Sequence, residues 1–354
     1  DTRALEPDMP RQLEVLGNRV ERRKIGAQTA LALADLNIAF EHRATVAVHF
    51  GMVGGNDDVV EEFGRDERPF VLDRLADRAD LRPDRLSGGE QQRAALAVAL
   101  LLQIGVNLAN DYFDFVKGID TQDRLGPPRV TQSGLIPARQ VKTGILFTIV
   151  LSTIPGLYLA SVGGWPVILI GLFCFAAALA YSGGPFPLAS HGLGVLFVFI
   201  FFGLVAVGGT YYVQALRLTP MVWLMGAIQG LLITAILVVN NLRDIQTDRR
   251  SGKHTLAVMI GERGARIEYL LLLAIAYAIP LILWLGGVRS AWVILPVFSL
   301  PLAIYLTRLI WKSAGGPLLN EALASTAKLV LIYSCLLSIG LILQSGLPVA
   351  GLAR

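Results

Sequence analysis

The sequence predicts an all-α protein, a polytopic bundle of transmembrane helices preceded by a soluble, mostly helical amino-terminal segment. Three observations predict it. Of 354 residues, 54% are hydrophobic and 16% charged, with mean hydropathy +0.57, a balance that suits a chain whose solvent is largely lipid. From Ala94 onward, apolar runs of roughly the 17–25 residues that a membrane helix needs recur about eight times. Charged residues gather before the first run and in the connections between runs.

Residues 1–93 form the first unit. They are dense in Arg, Asp and Glu and contain no uninterrupted apolar run long enough to cross a bilayer. The best stretch, roughly 26–54, is broken by Asp35, Glu41, His42 and Arg43, and charged side chains cost about 2.5–3.5 kcal/mol each at a helix centre. The chain starts at Asp1 without a signal-peptide pattern, which reads as a fragment or a processed chain. Within this unit Leu86–Arg93, LSGGEQQR, resembles the signature motif of ABC-type ATPases, as does Arg82-Pro83-Asp84 ahead of it. That resemblance spans about residues 65–100 and implies an incomplete ABC-like fragment joined to something else, a chimeric chain. Ser87 and Glu90 also form a capping box that would simply start a helix. No G-x-x-x-x-G-K-[ST] phosphate loop occurs, so ATP binding is not expected.

Residues 94–354 form the membrane unit. Its spans are expected near 94–110, 144–162, 165–182, 193–214, 220–240, 267–286, 290–310 and 328–346. The first is short, and its helix could begin as far back as Ser87. Connections at 163–164, 215–219 and 287–289 are very short and dictate antiparallel neighbours, whereas those at 117–143, 183–192, 241–266 and 311–327 are long. Basic residues crowd the long connections at 117–143 and 241–266, and Arg308, Lys312 and Lys328 flank the last one. The opposite ends carry only Arg217 and Arg289. The positive-inside bias therefore places the long connections in the cytoplasm and the chain in the inner, or plasma, membrane. Residues 1–93 would then lie outside, against the pull of Arg82, Arg85 and Arg93. That conflict is expected to weaken insertion of the first span and to displace Asp111 and Asp114 at its end. The net charge of +4 implies no nucleic acid partner, because no basic stretch is interleaved with aromatics for base stacking. Cys174 and Cys335 both lie in apolar runs and form no disulfide framework, and the four histidines show no ligand spacing.

Two stretches carry chemistry. In NLANDYFDFVKGID, Asn107, Asn110, Asp111, Asp114 and Lys117 follow an apolar run at steps of three or four, so on a helix they share one face. In VVNNLRDIQTDRRSGKHT, Asn240, Asp244 and Asp248 fall at i, i+4 and i+8. Acidic groups at a helix C-terminus face the negative end of its dipole, an unfavourable place unless cations are near. Clustered carboxylates also raise one another's pKa unless they are neutralised. Mg²⁺ takes one or two carboxylates plus phosphate oxygens and water. The pattern therefore points to Mg²⁺ ions and a diphosphate, with Lys117, Arg124, Arg129, Arg243 and Lys253 holding the remaining phosphate charge. The aromatic side chains of Tyr181, Phe186, Tyr211 and Tyr212 are candidates to shield a carbocation.

At these residues the chain resembles a known family. NDYFDFVKGID and NNLRDIQTD look like the two aspartate-rich motifs of the UbiA superfamily of intramembrane prenyltransferases. DTQDRLGPPRVTQSGLIP, GGPFPLASHGLG, FFGLVAVGGTYYVQ and LLNEALASTAKL are similar to its 1,4-dihydroxy-2-naphthoate polyprenyltransferase branch. The resemblance covers about 95–354. It implies a UbiA-like bundle that binds Mg²⁺ through Asp111 and Asp114 on one side and Asp244 and Asp248 on the other. Near the diphosphate it implies Asn107, Asn110, Asn241, Lys117, Arg243 and Lys253. The partners it implies are a polyprenyl diphosphate, 1,4-dihydroxy-2-naphthoate and the lipid bilayer. The activity it implies is decarboxylating prenyl transfer in menaquinone synthesis. Another aromatic acceptor, or a non-functional chimera, are the competing readings. Two positions depart from the family pattern: Val195 stands where an acidic residue is usual and Ser190 where a tyrosine is usual. The family has nine spans, and the first of them is missing from the eight expected in this chain.

Overall fold

The structure is a computed structural model, and it describes residues 88–118, 129–313 and 317–344. Most of the expected amino-terminal unit, including Ser87, and the candidate Arg124 lie outside the described residues.

Eight helices among the described residues are long and apolar enough to cross a membrane. They are α1 Gly88–Val116, α2 Ala138–Gly163, α3 Trp165–Ser182, α4 Gly194–Ala215, α5 Pro220–Arg250, α6 Leu256–Leu285, α7 Ala291–Lys312 and α8 Pro317–Gln344. A short 3₁₀ turn, Leu188–His191, sits between α3 and α4. All eight correspond to expected spans, but many are longer. The helix carrying the first motif runs on to Val116 and the one carrying the second to Arg250, while α2, α6 and α8 start earlier than their apolar runs. Hydropathy marks the part of a helix that lipid requires to be apolar. The hydrogen-bond ladder continues beyond it while the residues remain compatible with a helix.

Local chemistry sets the ends and bends. Thr219 caps α5 and Thr255 caps α6, each accepting from the backbone N–H three residues on at 3.4 Å. Gly164, at φ +74°, allows α2 to reverse directly into α3. Gly261, at φ +74°, breaks α6 after its first turn and re-aims it. In α4, Phe199–Val205 forms a π-helical stretch.

α5 is the central helix, and α3 lies at the periphery. Ile228, Leu232, Ala235 and Val238 of α5 pack with Tyr269 and Ala276 of α6, Leu306 of α7, and Tyr333 and Leu337 of α8. Several polar groups inside this core are paired, as suits a lipid-embedded bundle. Tyr333 donates to Ala276 O at 2.6 Å, Tyr269 bonds Thr326 at 3.1 Å, and Ser334 donates to Gln229 at 3.0 Å. Large apolar side chains such as Phe147, Ile154, Phe173 and Phe298 point outward, where hydrocarbon takes the place of water. Within the bundle the first span keeps its place beside its neighbours. α1 packs along α2, with Gly105 against the Thr148 hydroxyl, and both Asp111 and Asp114 are buried at 4% exposure.

Candidate active site

The two motif helices bring their polar ends to the same end of the bundle. Lys253, just beyond α5, donates from Nζ to Asp114 Oδ2 of α1 at 2.8 Å. Between the helices lies a cavity of about 840 Å³. One end is lined by Asn107, Asn110 and Asp114 of α1, by Arg129, by Asn240, Asn241, Arg243, Asp244 and Asp248 of α5, and by Lys253. The rest is mostly apolar, with Leu100, Leu172, Phe175, Phe197, Phe201 and Ile236 among its lining residues.

Asp114 and Asp244 at the ionic end are each paired with a basic side chain. Arg243 forms a two-pronged bridge to Asp244, with Nε to Oδ1 at 2.8 Å and Nη2 to Oδ2 at 2.6 Å. It also donates to Asn240 at 2.8 Å and to Asn320 of α8 at 3.0 Å. Its side chain is 2% exposed, and this buried charge is paired and donates from all three of its nitrogens. Arg243 thus holds Asp244 rather than standing ready for a ligand. With the Asn110 amide oriented to satisfy both its atoms, its oxygen accepts from Arg129 at 2.8 Å. Its nitrogen then donates to Asp114 Oδ2 and to Ser182 Oγ, each at 3.1 Å. Asp248 also faces the cavity.

Some expected site residues stand elsewhere. Asp111 does not line the cavity; its Oδ2 accepts from the backbone N–H groups of Val130 at 3.1 Å and Thr131 at 3.4 Å. Lys117 also lies off the cavity lining and donates to Ser182 O at 2.9 Å. Although its side chain is largely exposed, partial desolvation around the ammonium lowers its pKa from 10.5, against an opposing pull from Asp114. Of the candidate cation shields, Tyr181 lines the cavity, while Phe186, Tyr211 and Tyr212 do not. Phe186 instead stacks on His191 with ring centroids 3.6 Å apart, and Tyr212 donates to Gly163 O.

Ser182, Asn320 and the phenylalanines of α4 were not foreseen as site residues. Asn320 lies in a motif the sequence already marks, LLNEALASTAKL, but nothing local connects it to a guanidinium on α5. Ser190 carries its share through the backbone, its carbonyl accepting from His254 N at 3.0 Å and tying the 183–194 loop to the residues after α5. Val195 lines the cavity where an acidic side chain was expected.

No three His, Cys, Asp or Glu residues among the described ones converge on one point as an all-protein metal cage. The donors are nevertheless hard oxygens from two facing helix ends. That set fits Mg²⁺ sharing carboxylates with phosphate oxygens and water.

A profile of the UbiA prenyltransferase family matches residues 91–322. The chain belongs to the UbiA prenyltransferase family. This UbiA protein is a multi-pass membrane prenyltransferase. It is 40% identical over 240 residues to the 1,4-dihydroxy-2-naphthoate octaprenyltransferase of Mycobacterium tuberculosis, covering 68% of this chain and 81% of that one. It is 37% identical over 256 residues to the enzyme of the same name from Escherichia coli, covering 71% and 83%. The solved structure of a UbiA homolog from Aeropyrum pernix K1 matches with a TM-score of 0.58 at 17% identity, over 84% of this chain and 96% of that one, a likeness of fold. The ABC-ATPase chimera expected from LSGGEQQR is not borne out. The UbiA match begins at residue 91, inside the ABC-like string, and Gly88–Arg93 form the first turns of α1.

Proposed function

We propose that this UbiA protein transfers a polyprenyl group from polyprenyl diphosphate to 1,4-dihydroxy-2-naphthoate, with loss of CO₂, in menaquinone synthesis. The observation that carries the reading is the cavity itself. One end gathers Asp114, Asp244 and Asp248 with Lys253 and Arg129, and the remainder is mostly apolar and lies among membrane helices. Such a site suits an amphiphile with a multiply charged head and a long hydrocarbon tail. Relatives at 37–40% identity that bear the name 1,4-dihydroxy-2-naphthoate octaprenyltransferase support the choice of acceptor.

Asp114, Asp244 and Asp248 are the residues that would hold Mg²⁺, which when bound supplies the charge that stabilises a leaving diphosphate. Arg243 keeps Asp244 oriented. Lys253 lies on Asp114 at 2.8 Å and would turn to the phosphate if that carboxylate held a metal. Arg129 and Lys253 hold the diphosphate oxygens. The allylic C–O bond breaks with its electron pair leaving on diphosphate. The electron-rich ring then attacks the allylic cation, and aryl carboxylate plus cation gives prenylated ring plus CO₂. Tyr181 borders this point, and the apolar lining keeps water from the cation.

Topology follows the basic loops, with both motifs on the cytoplasmic side of the plasma membrane. Purified protein is tested with polyprenyl diphosphate, Mg²⁺ and the naphthoate, product being read by mass. The expected product has lost CO₂ and disappears when EDTA is added. A product retaining the carboxylate, or one formed only from 4-hydroxybenzoate, would replace this acceptor with another.

A further inference from the structure

Asn110 and Asp111 are neighbours on α1, yet they do different work. Asn110 faces the cavity and accepts from the Arg129 guanidinium at 2.8 Å. Asp111 points about 100° round the helix from it, away from the cavity. There it is 4% exposed and accepts the N–H groups of Val130 and Thr131, the two residues after Arg129. The turn these belong to is closed on itself, Ser133 N donating to Arg129 O and Ile136 N to Val130 O. Thr131 is as buried as Asp111. A carboxylate that accepts two backbone N–H groups makes charge-assisted bonds, stronger than neutral ones.

We infer that Asp111 is a positioning residue, which clamps the 129–136 turn to α1 and so sets the Arg129 guanidinium in the cavity. The assignment of Arg129 to the diphosphate rests on the function proposed above; the clamp itself does not. In this role Asp111 acts through hydrogen-bond acceptance and needs no metal. Its other oxygen, Oδ1, is buried and meets no donor among the described residues. An amide NH₂ can take that place while the remaining oxygen keeps accepting both N–H groups.

The test uses the full chain in detergent, without substrate, by amide hydrogen exchange over 129–136. Asp111→Ala should exchange there about tenfold faster than the parent chain, and Asp111→Asn within about threefold of it. In the transfer assay, Asp111→Ala and Arg129→Ala should raise the KM for prenyl diphosphate by about the same factor. The double variant should be no worse than Arg129→Ala alone. Unchanged exchange in Asp111→Ala would overturn the inference, as would additive effects in the double variant or an Asp111→Asn protein as impaired as Asp111→Ala. Because exchange is read without substrate, it decides the clamp whether or not the chain transfers prenyl groups to this acceptor.

Discussion

Arg243 donates to Asp244 through two nitrogens and to Asn240 and Asn320 through Nη2 and Nη1. No lysine can reproduce that planar fork. Arg243→Lys is therefore expected to lower prenyl transfer at least about tenfold. Arg243→Ala, which leaves Asp244 without its partner, should also cost stability of about 3–5 kcal/mol, the scale for breaking a buried pair. Thermal unfolding in detergent and initial rates measure the two effects, and a fully active Arg243→Lys would show that the fork is dispensable. Lys253 is a different case, a point charge on a mobile stem. Lys253→Ala should raise the KM for the diphosphate about tenfold with a smaller effect on kcat, as loss of ground-state binding predicts. Asp114→Ala should abolish transfer while leaving the protein inserted in the membrane. Turnover surviving in Asp114→Ala at saturating Mg²⁺ would remove that carboxylate from the mechanism.

α4 and α5 meet where neither has a side chain. A Cβ on Gly203 would lie 2.5 Å from Gly230 Cα and 2.6 Å from Gly226 O, and one on Gly230 would meet Phe199 at 2.8 Å. Small residues let membrane helices approach this closely. The contact falls within the π-helical stretch Phe199–Val205, whose wider turn shifts register by a fraction of a turn. It sets Gly203 against α5 while Phe197 and Phe201, stacked with centroids 5.6 Å apart, line the cavity. Gly203→Ala should destabilise by about 1–3 kcal/mol, the usual scale for overpacking. Gly156→Ala in α2, where nothing lies within 4 Å of the new Cβ, should be neutral or slightly stabilising. Thermal melts of the two variants side by side check this, and equal melting points would mean that the bundle yields at the α4–α5 contact.

Among the described residues the bundle has one ionic end and one sparsely charged end. Lys253 on Asp114 and Arg243 across to Asn320 show that α1 and α5 finish, and α8 begins, at the first. With that end cytoplasmic, Arg250 is inside and Ser290 outside. Single-cysteine variants at both positions, each exposed in the fold, test the orientation with a membrane-impermeant maleimide on intact cells. Label on Ser290→Cys alone is expected, and label on Arg250→Cys alone would invert the topology.

By itself the sequence determined the bundle, its eight spans, and the approach of two aspartate motifs to a common site. Those features rest on short-range regularities, the length a bilayer demands and the 3.6-residue repeat, which a linear pattern carries in full. The family was legible because NDYFDFVKGID and NNLRDIQTD are contiguous strings. Only the tertiary structure decided which residues of the shared face meet the cavity. Periodicity set Asn110, Asp111, Asp114 and Lys117 on one broad arc, but that arc is wider than the cavity. Asp111 turned to the backbone of Val130 and Thr131, and Lys117 to Ser182 O. Arg243 likewise read as a phosphate ligand until Asn320, 77 residues away, fixed it on Asp244. Such pairings depend on how helices from distant parts of the chain are rotated against one another. That rotation is set by packing summed over many contacts, and no local run of residues encodes it.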